Sequence, residues 1–240
     1  ADYDALERVL ATHRDRAQRA IILVEGAYSM DGDIADLPRL LDIKRRWGCW
    51  LMVDEAHSIG TLGRTGRGLA EHWGVEPAAV DIVMGTLSKS FGSCGGFIAG
   101  SEELVALLRT YAPGLLLYST GISPANTAAA LEALTVLQRE PERVERLQGN
   151  ARRFCAAARE RGLATGEARG LAPIVPIVIG RDMRGMRVAA RLFAEGVLAH
   201  PIIYPVVPRD ASCIRFFITA MHEAEQMTRA LDIIAEALSS

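Results

Sequence analysis

No stretch of this chain is apolar for long enough to cross a bilayer. Its 27 basic and 29 acidic residues leave a net charge of −2. That bias is too small to advertise nucleic acid or an anionic membrane as a partner. The four cysteines, Cys49, Cys94, Cys155 and Cys213, are scattered without paired spacing. That argues against a disulfide framework or a zinc site, no metal is expected, and a reducing cytoplasm fits. The opening Ala1-Asp2-Tyr3-Asp4 has none of the pattern of a secretory signal. Residues 60–68 are glycine-rich and carry Arg64 and Arg67. They lack the Lys-Ser/Thr ending of a P-loop, so a nucleotide site there is poorly supported.

What remains is an ordinary globular composition, half hydrophobic and 23% charged over 240 residues. Such a length buries a substantial core in one or two domains. The most informative stretch runs from Val53 to Lys89. Trp50-Leu51-Met52-Val53 is apolar until Asp54, which reads as a buried parallel strand presenting Asp54 at its C-terminal end. Asp81-Ile82-Val83-Met84 reads as a second strand, followed by Gly85-Thr86-Leu87-Ser88-Lys89-Ser90. Ligands of open α/β sheets sit just beyond such strand ends. An acid and a lysine 35 positions apart are therefore expected at one crevice.

A lysine amine forms an imine with a carbonyl. The cofactor that uses such a lysine with an acidic partner at a pyridine nitrogen is pyridoxal 5'-phosphate (PLP). In that reading Asp54 keeps the ring nitrogen protonated and Thr86 and Ser88 offer hydroxyls to the phosphate. Gly92, Gly95 and Gly96 permit close backbone approach. The competing readings are a turn-capping aspartate and a solvated surface lysine. The position of each residue between apolar segments disfavours both.

Glu25-Gly26-Ala27-Tyr28-Ser29-Met30-Asp31-Gly32-Asp33, Val53-Asp54-Glu55-Ala56-His57-Ser58 and Gly85-Thr86-Leu87-Ser88-Lys89-Ser90-Phe91-Gly92 together resemble the α-oxoamine synthases. That PLP-dependent group includes serine palmitoyltransferase, 8-amino-7-oxononanoate synthase and 2-amino-3-ketobutyrate CoA ligase. The resemblance covers nearly the whole chain, in order. It implies fold type I, with a large, mostly parallel α/β domain incomplete at its N-terminus (residues 1–138) and a small C-terminal α/β domain (139–240). The family's glycine-containing phosphate turn and stacking ring are not seen here, so the chain is expected to be a C-terminal portion or module of a longer protein.

The resemblance also implies roles. Lys89, His57 and Asp54 are the catalytic set. Ala56 packs on the cofactor ring, His57 contacts the ring hydroxyl, and Ser29 hydrogen-bonds near the ring oxygen. Thr120 reaches the phosphate of the other subunit's cofactor in a homodimer with a shared site. Arg215 binds the amino-acid carboxylate, which suits a guanidinium fork. The activity implied is a decarboxylative Claisen-type condensation of an amino acid with an acyl thioester, from acyl-CoA or an acyl carrier protein, to an α-aminoketone. Alternatives are an aminotransferase of the same fold, or a non-catalytic subunit or fragment. For Thr120 an N-cap of the next helix is an equal reading. For Ser29 and Asp33 capping of the helix at 36–47 competes, and for Asp33 it is preferred. Glu55 reads as structural, and His222 as a cap or packing residue.

Helices are expected at 3–13, 36–47, 102–111, 124–138, 141–161, 187–195 and 223–238. Strands are expected at 21–24, 50–54, 81–84, 96–99, 174–179 and 213–219. The arginines of the 141–161 helix read as a solvated face.

Overall fold

The computed structural model describes residues 1–112 and 120–239. Tyr118 and Ser119, which adjoin Thr120 in the sequence, lie outside the described residues. The chain divides into two units, Ala1–Ala27 with Ile34–Pro141 and Tyr28–Asp33 with Glu142–Ser240.

In the first unit, helix α1 (Tyr3–His13) starts at Asp2, whose carboxylate accepts the Ala5 N–H at 2.8 Å. Strand β1 is Ile21–Glu25. Helix α2 (Leu37–Trp47) is capped by Asp36, which accepts the Arg39 N–H, and is closed by Gly48 at φ +58. Asp33 does not cap it. Its carbonyl accepts the Tyr28 N–H at 2.9 Å, because residues 28–33 close a turn of their own. Strand β2 (Trp50–Asp54), helix α3 (Leu69–Trp73), strands β3 (Ile82–Thr86) and β4 (Gly96–Gly100), and helices α4 (Glu102–Tyr111) and α5 (Pro124–Arg139) follow.

The sheet order is β1-β2-β3-β4, the first three strands parallel and β4 antiparallel to β3. Helix α2 packs on β2, and Leu37, Leu40, Ile43, Leu51 and Val53 are buried. Alternate residues turn to the other face. There Ile21, Leu23 and Trp50 remain 52%, 63% and 43% exposed. The apolar run at 50–53 is thus buried against α2 on one face, and within this chain its other face is partly exposed.

The second unit holds helix α6 (Glu142–Glu160), strand β5 (Ile174–Gly180), helix α7 (Asp182–Ala194), strands β6 (Pro201–Ile202) and β7 (Ser212–Phe217), and helix α8 (Ala224–Ser239). Its antiparallel sheet has the order β5-β7-β6. Phe154, Ile177, Leu192, Ile214 and Leu231 form its core. Helix α7 begins at Asp182, ahead of the expected 187. Gly185 in its first turns is a packing requirement, since a Cβ there would lie 2.7 Å from Ser212 Oγ. The short β6 and α3 were not expected. Gly32, at φ +68, lets the 28–33 turn lie against β5, where an added Cβ would fall 2.0 Å from the Ile174 carbonyl oxygen. Among the described residues, no helix is long and apolar enough to cross a membrane, and no cluster of metal-ligating side chains occurs.

Candidate active site

Strand β2 ends at Asp54 beside Met84 of β3, and the Glu55 N–H donates to the Met84 carbonyl at 2.8 Å. The chains leaving β2 and β3 therefore depart from one edge of the sheet, the carboxyl end of two neighbouring parallel strands. The Ala56 N–H donates to Asp54 Oδ1 at 2.8 Å, which bends the chain at once. Asp54 Oδ2 takes no hydrogen bond among the described residues. The Ser58 and Ile59 N–H groups then donate to the Glu55 carbonyl at 3.0 and 2.9 Å. This single helical turn carries Ala56, which is buried, and His57, which is half-buried.

Glu55 points beneath that turn and is 5% exposed. Its carboxylate accepts the Leu69 N–H at the start of α3, at 3.0 Å, and the Ser58 hydroxyl. Burial pushes the Glu55 carboxyl above the ordinary value, while the Ser58 and Leu69 donors pull it down. Gly68 and Gly26 make room for it. An added Cβ would lie 2.5 Å from Glu55 Oε2 at the first and 2.3 Å from Ser58 Oγ at the second. The intervening glycine-rich stretch is a loop held by hydrogen bonds of its own. Thr65 and Arg67 donate their backbone N–H groups to Glu71, each at 3.0 Å. For Glu71, burial raises the carboxyl, yet these donors and the Thr65 hydroxyl outweigh it and hold the group below its usual value.

Beyond β3, Thr86 Oγ1 and Ser88 Oγ share a 2.8 Å hydrogen bond. The Leu87 N–H donates to the Gly95 carbonyl and the Ser93 N–H to the Leu87 carbonyl, closing a loop. Gly92, at φ +57, donates to the Lys89 carbonyl. Phe91 is buried and anchors the loop, whereas Lys89 is exposed. The Lys89 amine has no hydrogen bond or ion pair among the described residues. The Ser90 hydroxyl donates to the Ile59 carbonyl at 2.7 Å, joining this loop to the His57 turn. Asp54, Ala56, His57, Thr86, Ser88 and Lys89 are thus brought to adjacent strand ends.

Thr120 is exposed and precedes Ser123, the residue that caps α5 by accepting the Asn126 N–H. The capping role considered for Thr120 therefore belongs to Ser123.

In the second unit, Arg215 on β7 donates from Nη1 to the Ser29 carbonyl at 2.8 Å and lies 3.0 Å from Met30 Sδ. Its guanidinium carbon stands 4.7 Å from the Phe217 ring centroid. Arg215 Nε is buried without a partner, and no acidic side chain pairs with the group among the described residues. A half-buried guanidinium lacking a counter-ion is suited to an incoming anion. It also borders a cavity of about 500 Å³ within this unit, lined in part by Phe154, Val197, His200 and Met227. Ser29 enters this arrangement through its carbonyl.

Sequence reasoning missed the Ser90–Ile59 link. Arg159 stays exposed, as expected of a solvated face, while also donating to the Thr165 hydroxyl at 3.0 Å and to the Ala168 carbonyl. The Ser90–Ile59 contact has no local signature beyond the small residue at Gly60, opposite Ser90.

A family model described as aminotransferase class I and II matches residues 1–234. An 8-amino-7-oxononanoate synthase of Symbiobacterium thermophilum is 39% identical over 236 residues, covering 98% of this chain and 59% of that protein. Another, of Thermosipho melanesiensis, is 42% identical over 231 residues, covering 96% of this chain and 58% of that protein. Serine palmitoyltransferase from S. paucimobilis, solved with a bound PLP-myriocin aldimine, matches at TM-score 0.86 and 28% identity. That match covers 95% of this chain and 57% of the other. The chain thus spans about three fifths of the length of these relatives.

Proposed function

The chain belongs to the aminotransferase class I and II family, its architecture is fold type I, and on that premise we propose that it carries the PLP lysine of an oxoamine synthase. The reaction is a decarboxylative Claisen-type condensation of an amino acid with an acyl thioester. One observation carries this reading. The Lys89 amine and Asp54 Oδ2, both without partners among the described residues, sit at the ends of neighbouring parallel strands. These residues fit PLP, having an amine for its aldehyde, an open carboxylate oxygen for its ring nitrogen, and paired hydroxyls at Thr86 and Ser88 for its phosphate.

When bound, PLP supplies an electron sink for charge developing at an amino acid's α-carbon. The protein groups do the rest. Asp54 would hold a proton on the ring nitrogen, its own carboxylate fixed by the Ala56 N–H. Ala56 and His57 would hold the ring at its face and its hydroxyl, with Ser29 offered to the ring oxygen. Lys89 Nζ takes and returns the α-proton as general base. Arg215 grips the amino-acid carboxylate with its fork. Thr120 serves the phosphate of a partner subunit in a homodimer. The acyl donor is a thioester of CoA or of an acyl carrier protein. The name of the relatives' product supports the class, because 8-amino-7-oxo describes an amine and a ketone on adjacent carbons. Four free thiols fit a cytoplasmic setting.

The test is a product balance. The protein, PLP, an amino acid and an acyl thioester are expected to release thiol and carbon dioxide in equal amounts. Transfer of the amine to a keto acid without carbon dioxide would instead identify an aminotransferase. No turnover by a chain that binds PLP would point to a non-catalytic fragment.

A further inference from the structure

We infer that Ser90 is a positioning residue, whose hydroxyl holds the Lys89 loop against the turn that bears His57. This deepens the proposed function and rests on Lys89 being the PLP lysine. The hydroxyl donates to the Ile59 carbonyl at 2.7 Å, across 31 positions of chain. Among the described residues, it is the one hydrogen bond from positions 88–92 to a segment outside their own loop. Every other bond they make is to Thr86, Ser88 or Lys89 within that loop.

The acceptor is itself held firmly. The Ile59 N–H donates to the Glu55 carbonyl, and Glu55 is buried and tied to Leu69. Thr61 donates its hydroxyl to the His57 carbonyl at 2.7 Å. The close approach needs a residue without a side chain opposite Ser90. Gly60 supplies it at φ +80, since an added Cβ would stand 2.5 Å from Ser90 Cβ. The Gly60 N–H in turn donates to the Gly66 carbonyl at 2.7 Å. Buried Phe91 fixes the depth of the lysine loop. The Ser90 bond fixes its direction, and with it the reach of the exposed Lys89 amine towards Asp54's edge of the sheet.

The experiment follows the rate at which PLP and borohydride label Lys89, mapped by peptide mass spectrometry, with melting temperature measured in parallel. Ser90→Ala is expected to label Lys89 about fivefold more slowly, the effect of one lost hydrogen bond, with a melting temperature lowered by no more than about 4 °C. Ser90→Thr, which keeps the hydroxyl, is expected to recover most of the rate. Labelling of Ser90→Ala at the unmodified rate overturns the assignment, even if that variant melts lower. Equal slowing in both variants also overturns it, because the hydroxyl would then be irrelevant. Absence of label on the unmodified chain overturns the PLP reading and this inference with it.

Discussion

Glu55 and Leu69 meet across 14 positions, the buried carboxylate accepting the Leu69 N–H at 3.0 Å where α3 begins. A carboxylate there satisfies an orphan donor at the start of a helix. It also fixes the turn that follows Asp54.

That burial sets a pH dependence. The Glu55 carboxyl lies above its ordinary value of 4.5, burial being the largest cause. Below that value both folded and unfolded chains hold the proton, and the group costs nothing. As pH rises through the raised native value, the cost of burying the charge grows to its full size. The stability of Glu55→Gln relative to the unmodified chain should therefore increase as pH rises above 4.5 and level off once the native carboxyl is ionised. Denaturant titrations across that range measure it, and a difference that does not change with pH would contradict it.

Gly68 has φ +91 and ψ −155, a region open essentially to glycine alone. An added Cβ would also collide with the Glu55 carboxylate. Gly68→Ala should lose about 2 kcal/mol or more of unfolding free energy. Urea denaturation checks this, and a neutral result would mean that the loop relaxes freely.

Asp54→Asn keeps the side chain's shape and can keep the Ala56 N–H bond through its carbonyl, but removes the charge. The catalysed rate should fall at least about tenfold, each unit of lost pKa control being worth 1.36 kcal/mol. The melting temperature should change little, because Oδ2 has no partner among the described residues to lose. Steady-state kinetics at saturating PLP decides the point.

Arg215→Lys keeps the charge and loses the fork. Half-saturation for the amino acid should rise about ten- to a hundredfold, the range for a charged hydrogen bond, with a smaller effect on the acyl donor. An equal rise for both substrates would remove Arg215 from carboxylate recognition.

The legible parts of this chain were those with local causes. Helix α1 and strand β2 fall on their expected residues, because apolar periodicity and the break at Asp54 are written in neighbouring positions. Asp54 and Lys89 read as strand-end residues because each follows a short apolar run. Asp33 misled because Asp36 offered the same chemistry three residues later, with α2 starting directly after it. Helix α7 starts five residues earlier than expected, with Gly185 packed on Ser212, a residue 27 positions away. The Ser90 bond has no local cause either, its partner 31 positions away being supplied by the fold.

The most direct measurement is borohydride trapping of the protein incubated with PLP, followed by digestion and peptide mapping. A pyridoxyl group on Lys89, absent from Lys89→Ala, is the predicted result. A folded protein that acquires no label, or carries it at Lys44 instead, would contradict the assignment of Lys89 as the PLP lysine.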